Sequence, residues 1–559
     1  MKPQLQELAD TLITHFVGVD PAIWPLTELA YAGFLGAAAV LPFAFAVHFA
    51  GIFIFFERRI AARMQVRVGP NRVGPNGLLQ FLTDGLKCFF KEDLIPADAD
   101  GPLFRVAPYF VVLGMVLAFA ALPFSGNLVA TDINIGLLFI LGVTALVAIG
   151  VLMSGWGSNS KWALLGGMRS AAQVISYEIP AGLSAMTVII LAGTLSVQGL
   201  IENQGGAIWN WAFFHSPFVA GSFFIFFVSQ LAEGNRTPFD LPEAESELVS
   251  GYNTEYSGMR FLMFFLGEFA NVWILCALPV AMYFGGWQIP WGSELVPAAE
   301  GVLGTWQTSA WVINAAPYIL AAMMAGAAIP AAAIGWGVLK YRGRAMAAID
   351  RAEIPEADGI PGLPNLLPSR LTRLILKGGL DIIWVAHLVF IPLGLLGLAF
   401  FQTTLARPDL AQTANLSAAL ASGHALTWFR DMVAINGLQL GIFMLKTSIL
   451  VFVVIQLRWT LPRIRIDQMM NLCWKYLVPL SFVCVVFTMV WELLLQNLLP
   501  AVVGEVVRVM MMCATIYGIY LYVRRIKANY AVSEKDYDGY QRPNDPRAGP
   551  QFYPPWRLP

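Results

Sequence analysis

Charge is scarce in this 559-residue chain: Asp, Glu, Lys and Arg make up 13% of it, hydrophobic residues 57%, and the mean hydropathy is +0.64. Soluble domains carry roughly 25% charged residues, so the composition excludes a water-soluble fold and implies an integral membrane protein. A net charge of -1 and the lack of a long basic run argue against a nucleic-acid partner. Cysteine and histidine number five each and are scattered, with no Cys-x-x-Cys and no paired His. The usual spacings of iron–sulfur, zinc and haem sites are therefore missing, and no metal ligand is assigned. Gly155-Trp156-Gly157 is half a dinucleotide fingerprint and no Walker loop occurs. The chain shows no means of carrying electrons by itself. Its start, MKPQLQELAD, lacks the basic residues, short apolar core and small-residue cleavage site of a signal peptide, so the first hydrophobic span is expected to stay in place.

What the chain has in abundance is apolar runs. A hydrocarbon core about 30 Å thick needs roughly 20 apolar residues per helix. Eleven candidates follow: Leu29 to Phe56, Tyr109 to Phe124, Ile133 to Met153, Ile179 to Leu195, Phe218 to Leu231, Phe261 to Phe284, Tyr318 to Leu339, Ile382 to Phe401, Leu438 to Leu457, Leu477 to Leu495 and Val502 to Val523. The fold class is all-α and polytopic. With the N-terminus outside, the segments on one side hold thirty Lys and Arg and the opposite side only Lys2, Arg407 and Arg430, while Lys446 and Arg508 fall inside helices. Basic residues concentrate in cytoplasmic loops, so this asymmetry sets the orientation. Four segments result: a core at 1–289, an insertion with two helices at 290–435, two further core helices at 436–499, and an extra helix with a cytoplasmic tail at 500–559.

One stretch resists hydropathy. Glu57 to Lys91 carries five Arg and two Lys, and Val68-Gly69-Pro70-Asn71 recurs as Val73-Gly74-Pro75-Asn76. The two Gly-Pro-Asn turns hold Arg67 and Arg72 in equivalent places on rigid backbone. Leu78, Leu82, Leu86 and Phe89 then share one helical face, an amphipathic helix lying at the membrane surface on the cytoplasmic side. A greasy floor beside fixed arginines suits a molecule with an apolar tail and a polar head. A basic loop that only orients the chain fits the same spacing equally.

The second stretch is acidic. Ala232 to Gly258 holds Glu233, Asp240, Glu243, Glu245, Glu247 and Glu255 against Arg236 alone. If this piece is helical, Glu243 and Glu247 share a face, repel and rise in pKa, as proton uptake requires. A solvated acidic loop for a basic partner is the plainer reading. Ionisable groups inside membrane helices are costly and hence functional candidates. Glu268 sits about ten residues into an apolar run, near mid-bilayer. Glu178 opens the fourth helix and Glu233 closes the fifth, and both read equally as proton-path residues or interfacial helix ends. Lys446 is a candidate relay lysine or carboxylate counter-ion.

Glu57-Arg58-Arg59 with RVGPNRVGPNGLLQ, then Ser176-Tyr177-Glu178-Ile179, then Asn235 to Leu241 with EAESELVSGYNTEYSG, together resemble the family of the H subunit of proton-translocating NADH-quinone oxidoreductase, the respiratory complex I component equivalent to mitochondrial NADH dehydrogenase subunit 1. The resemblance covers Leu29 to about Phe284 and resumes from Asn436 to about Gln496. It implies eight core helices beneath a peripheral arm, so that three of the eleven are extra. It further implies a quinone substrate, with iron–sulfur clusters and flavin in partner subunits. By that resemblance Arg58, Arg67, Arg72, Asp84 and Lys87 line the quinone chamber or its entrance, and Arg169 matches a basic position in the loop before Ser176. Glu178, Glu233, Glu247 and Glu268 match the acidic path coupled to proton movement, with Arg236, Asp240, Glu243 and Glu245 in its loop.

Two rival readings stand beside it. A membrane anchor of a related hydrogenase or other reduced-cofactor dehydrogenase would share helices and carboxylates without needing quinone. A free-standing secondary transporter would show broken helices in two related halves, and no such repeat is visible. The location implied is a bacterial inner membrane, with the N-terminus periplasmic and the C-terminus cytoplasmic, among the other complex I subunits and membrane lipid.

Overall fold

The computed structural model describes residues 50–288, apart from 52, 74–76, 78, 79, 127, 206 and 207, then 425–498, and scattered positions at 322 and between 506 and 525. Among the described residues there is no strand. A helix over 53–64 (α1) leads through the first Gly-Pro-Asn turn to Gln80–Phe90 (α2). Gly101–Ala121 (α3), Gly136–Gly157 (α4) and Lys161–Ala192 (α5) follow. Pro217–Glu233 (α6) and Gly258–Tyr283 (α7) flank the acidic loop. After residue 424 come Ala425–Thr460 (α8), Ile466–Asn471 (α9) and Val478–Leu498 (α10), the last two joined by a π-turn at Leu472–Leu477.

Seven of the eleven predicted spans fall on described residues and all are helical. Six are long and apolar enough to cross a membrane, and α6, at 17 residues, is a shorter apolar helix. The spans expected at Leu29 to Phe56, Tyr318 to Leu339 and Ile382 to Phe401 lie wholly or mostly outside the described residues, as do most of the second Val-Gly-Pro-Asn turn and Arg508, and half of the span at Val502 to Val523 lies outside them.

Two positions differ from expectation. Hydropathy starts the fourth span at Ile179, yet α5 begins at Lys161, so Glu178 lies in mid-helix instead of opening it, and Arg169 lies on the helix instead of in a loop. Hydropathy marks only the lipid-matched part of a helix. Residues 161–178 mix polar and small side chains, but nothing there stops the backbone ladder, and Ser170, Gln173, Ser176 and Tyr177 are buried against other elements.

Prolines sit inside α3, α5 and α7. Each lacks an N–H and leaves the carbonyl four residues earlier without its helical donor. Neighbouring side chains supply the missing donor in two cases. The Tyr256 hydroxyl donates to the Phe104 carbonyl at 3.1 Å, four residues before Pro108. The Cys473 thiol donates to the Ser176 carbonyl at 3.1 Å, four residues before Pro180. In an apolar bundle such compensation keeps a proline-bearing helix viable, and here it also staples the acidic loop and the π-turn to α3 and α5.

The helix ends sort into two groups. At one, the ends of α1, α2, α6, α8 and the start of α7 gather Arg58, Arg236, Arg260, Arg458 and Arg463, each with an acidic partner. At the other, Ser125 donates to Asn436 at 2.7 Å, the Gly126 N–H to Gln439 at 2.8 Å, and Lys446 Nζ to the Phe284 and Gln288 carbonyls at 2.8 and 2.7 Å. Lys446 also stands 4.1 Å over the Trp211 ring. It therefore donates to carbonyls just beyond α7, and among the described residues it pairs with no carboxylate, against the counter-ion reading. At this end too, His215 Nδ1 lies 2.9 Å from Glu492.

Candidate functional site

The loop after α6 is shaped from α5. Gln173, fully buried, directs its amide nitrogen at the Ala232 carbonyl (2.6 Å), the Phe239 carbonyl (2.8 Å) and Asn235 Oδ1 (3.1 Å), which folds residues 232–239 back onto the helix. Tyr177, one turn on, donates to the Met469 carbonyl at 3.0 Å and packs its ring on Phe239. The Ile464 N–H donates to the Pro238 carbonyl at 3.1 Å, and Arg463 pairs with Asp240 at 3.2 Å, so the segment between α8 and α9 closes the far side. Gly251, at φ +57°, and Gly166 of α5 let the loop cross the helix: a Cβ at Gly251 would stand 1.7 Å from the Pro242 carbonyl oxygen, and one at Gly166 2.8 Å from the Tyr252 nitrogen.

This folding carries Arg236 inside. Only 1% exposed, its guanidinium lies 3.3 Å from Glu268 and 4.0 Å from Glu57, and 4.3 Å over the Phe269 ring. Burial alone would weaken its charge, but Glu268, Glu57, Glu243 and Asp240 outweigh that and hold it more firmly protonated than usual. Glu57 is buried and also bonded to Arg458, placing one carboxylate between two guanidiniums.

Glu243 is partly buried. It accepts from Asn253 at 3.1 Å and lies within hydrogen-bonding reach of Glu268. Burial first, then Glu268 and Asp240, push it well above the ordinary carboxylate value of 4.5, against the pull of Arg236. Tyr252, beside it, is raised by burial and then by Glu243 and Glu268, so the phenol stays protonated. The expectation that Glu243 and Glu247 share a helical face fails. The helical turn there spans Glu245–Leu248, so Glu243 points into the cluster while Glu247 pairs with Arg169 at 2.8 Å. The side chain of Glu245 lies outside the described residues.

Glu233, 5% exposed, accepts from Gln230 at 2.8 Å, with Thr144 beside it and Glu178 close enough to act on it electrostatically. The structure thus sorts the carboxylates into two neighbourhoods, Glu233 with Glu178, and Glu268 with Glu243, Glu57 and Asp240 around Arg236.

The basic stretch is tied down at the middle of α2 and again just beyond its C-terminal end. Arg58 pairs with Asp84, which also accepts from Gln80 at 2.8 Å. Beyond α2, Asp93 pairs with Arg260 at 3.0 Å, and Ser257, at the start of α7, accepts from the Leu94 N–H and donates to the Glu92 carbonyl. Arg67, Arg72 and Lys87 are exposed, and Arg67 bonds Gln65 at 2.6 Å. The outer face of α2 presents Leu86, Phe89 and Phe90, all more than half exposed.

Sequence reasoning missed Glu57, Gln173 and Asn253 as site residues. For Glu57 a signal existed, since it follows Phe53 to Phe56 directly within α1. Gln173 had none, because its partners lie 59 to 66 residues away.

A family model described as NADH dehydrogenase matches residues 37–339 and 385–489 of this chain. The H subunit of NADH-quinone oxidoreductase from Anaeromyxobacter dehalogenans is 41% identical over 508 residues, covering 90% of this chain and 92% of that protein. The protein of the same name from Chlorobaculum tepidum is 33% identical over 456 residues, covering 81% and 91%. The one from Magnetococcus marinus is 50% identical over 234 residues, covering 42% and 66%. The chain belongs to the NADH dehydrogenase family, alongside the H subunit of NADH-quinone oxidoreductase.

Proposed function

We propose that this chain is the quinone-binding, proton-coupling membrane subunit of an NADH-quinone oxidoreductase, working beside partner subunits that hold the flavin and iron–sulfur clusters. The observation that carries the reading is the adjacency of Glu57 and Arg58 on α1. Glu57 turns inward to Arg236 and Arg458, while Arg58 turns outward to Asp84 of the amphipathic helix. One turn of helix therefore joins the exposed apolar face of α2 to the buried acidic cluster.

The residues fit a quinone. Leu86, Phe89 and Phe90 offer an apolar floor for the tail, and Arg58, Arg67, Arg72, Asp84, Lys87 and Arg169 offer polar groups for the head and the entrance. A reduced quinone takes up protons together with electrons. Charge arriving near Arg58 acts on a cluster already balanced between like and unlike charges. At an effective dielectric of about 20, two unit charges 4 Å apart interact by about 4 kcal/mol, and about 1.36 kcal/mol moves a pKa by one unit. Glu243 and Glu268, neighbours beside one fixed cation, are the groups placed to respond. Glu233 and Glu178 form the next neighbourhood along the path, and Glu247 with Arg169 its outer rim.

In this reading the arginine-rich end faces the cytoplasm of a bacterium, across its inner membrane. The test is labelling of the whole assembly by a photoreactive quinone. Labelling within residues 57–91 or the loop at 232–258 is expected; labelling confined to α8 and α10 would refute the reading.

A further inference from the structure

Arg458 reaches the acidic cluster from its rim. It lies near the arginine-rich end of α8, 401 positions from Glu57 in sequence, and its guanidinium donates to Glu57 Oε1. Its side chain is 23% exposed where that of Glu57 is 6% exposed. The other Glu57 oxygen, Oε2, is buried, has no hydrogen bond among the described residues, and stands 4.0 Å from Arg236. Arg236 likewise makes no hydrogen bond with a described residue. Its guanidinium is set 3.3 Å from Glu268 and against the rings of Phe269, at 4.3 Å, and Phe53, at 5.7 Å. Charge and ring faces hold it in place, but no directional bond commits it to one carboxylate. Glu268 acts on it most strongly and Glu57 next, so the two are rivals for one cation.

We propose that Arg458 is a positioning residue for the Arg236–Glu268 pair: by bonding Glu57 it withdraws that carboxylate from the competition and leaves Arg236 to Glu268. Without Arg458, Arg236 is the one ion-pair partner left to Glu57 among the described residues. A guanidinium drawn toward Glu57 moves away from Glu268, and their attraction falls with the added distance. The carboxylate deepest in α7 then loses its counter-charge. Asp240 offers a comparison within the same cluster. It too acts on Arg236, after Glu57 and Glu243 in strength, and it is held by Arg463 at 3.2 Å. The end of α8 and the linker after it therefore bring one guanidinium to each of two carboxylates around Arg236, and only the Glu57 bond bears on a direct contact of Arg236.

The inference rests on the coupling reading above, and the test separates the two. The whole complex is reconstituted in sealed vesicles with Arg458→Gln, alone and joined to Glu57→Gln or to Asp240→Asn, and NADH-driven proton transfer per assembled complex and quinone KM are measured. Arg458→Gln is expected to lower proton transfer about fivefold with quinone KM unchanged. Glu57→Gln in the same chain removes the rival and recovers most of the loss. Asp240→Asn restores the same total charge and recovers none of it. Wild-type transfer in Arg458→Gln overturns the proposal, as does a Glu57→Gln double variant no better than the single one. Equal recovery with Asp240→Asn overturns it too, since net charge and not the place of Glu57 would then decide. Should Arg458→Gln fail to assemble, Arg458→Lys takes its place, with a loss of about twofold that Glu57→Gln again reverses. Impaired transfer in Glu268→Gln beside normal transfer in Arg458→Gln removes the role of Arg458 alone; normal transfer in both removes the coupling reading as well.

Discussion

Arg236 stands 3.3 Å from Glu268, with its guanidinium over the ring of Phe269, and both side chains lie inside protein contributed by three separate stretches of the chain. A buried cation of this kind is held only by its partners. Removing it leaves Glu57, Glu243 and Glu268 facing one another without a counter-charge on that side, and breaking a buried pair costs about 3–5 kcal/mol. Arg236→Met is therefore expected to lower the amount of assembled complex and its thermal stability, with Arg236→Lys intermediate. Normal yield and melting temperature in the Met variant would show that the cluster does not depend on the cation.

Glu243 gives a pH signature. Its folded pKa is raised above 4.5 by burial and by Glu268, so the folded loop keeps a proton that the unfolded chain releases. The sign follows: local stability is greatest at low pH and falls as pH rises from 4.5 toward the raised value. Hydrogen-exchange protection over 232–258, corrected for intrinsic rates, should decline as pH rises above 4.5 in the wild type and stay level in Glu243→Gln. Equal slopes would contradict this.

Gly251 is held by geometry. Its φ of +57° and the 1.7 Å separation between a built Cβ and the Pro242 carbonyl leave no place for a side chain. Gly251→Ala should displace the Pro242–Tyr252 turn and expose Glu243, reducing NADH-quinone turnover at least several-fold while the membrane helices remain folded. Unchanged turnover would mean that the loop adapts without consequence.

Arg58 and Asp84 are 39% and 36% exposed, so their pair contributes no more than about 1 kcal/mol. Asp84→Ala is expected to leave assembly intact and to raise quinone KM more than it lowers kcat, because α2 loses its tether. A change in kcat with KM untouched would place Asp84 elsewhere in the mechanism.

The bundle is readable from the residues because lipid imposes a one-dimensional rule: apolar length and basic flanks suffice for α3, α4, α7 and α8. That rule stops at the hydrocarbon edge, which is why the cytoplasmic half of α5 escapes it and Glu178 reads as a helix start when it lies in mid-helix. The acidic loop is recognisable by its charge density, and Glu268 by its depth. The internal arrangement is not, because it depends on Gln173 reaching across 59 to 66 residues and on Arg236 turning inward. Glu243 and Glu247 illustrate the limit: a spacing of four is meaningful on a helix, and the helix begins two residues too late.

The central claim is that charge at the quinone reaches proton carriers through the Arg236 cluster, and Glu268→Gln tests it most directly. Three other carboxylates remain around Arg236 and the amide keeps an acceptor there, so the complex should assemble. In sealed vesicles, NADH-driven proton transfer should fall at least about tenfold, the effect of roughly 1.4 kcal/mol on a barrier. Proton transfer at the wild-type rate and stoichiometry in an assembled Glu268→Gln complex would contradict the account.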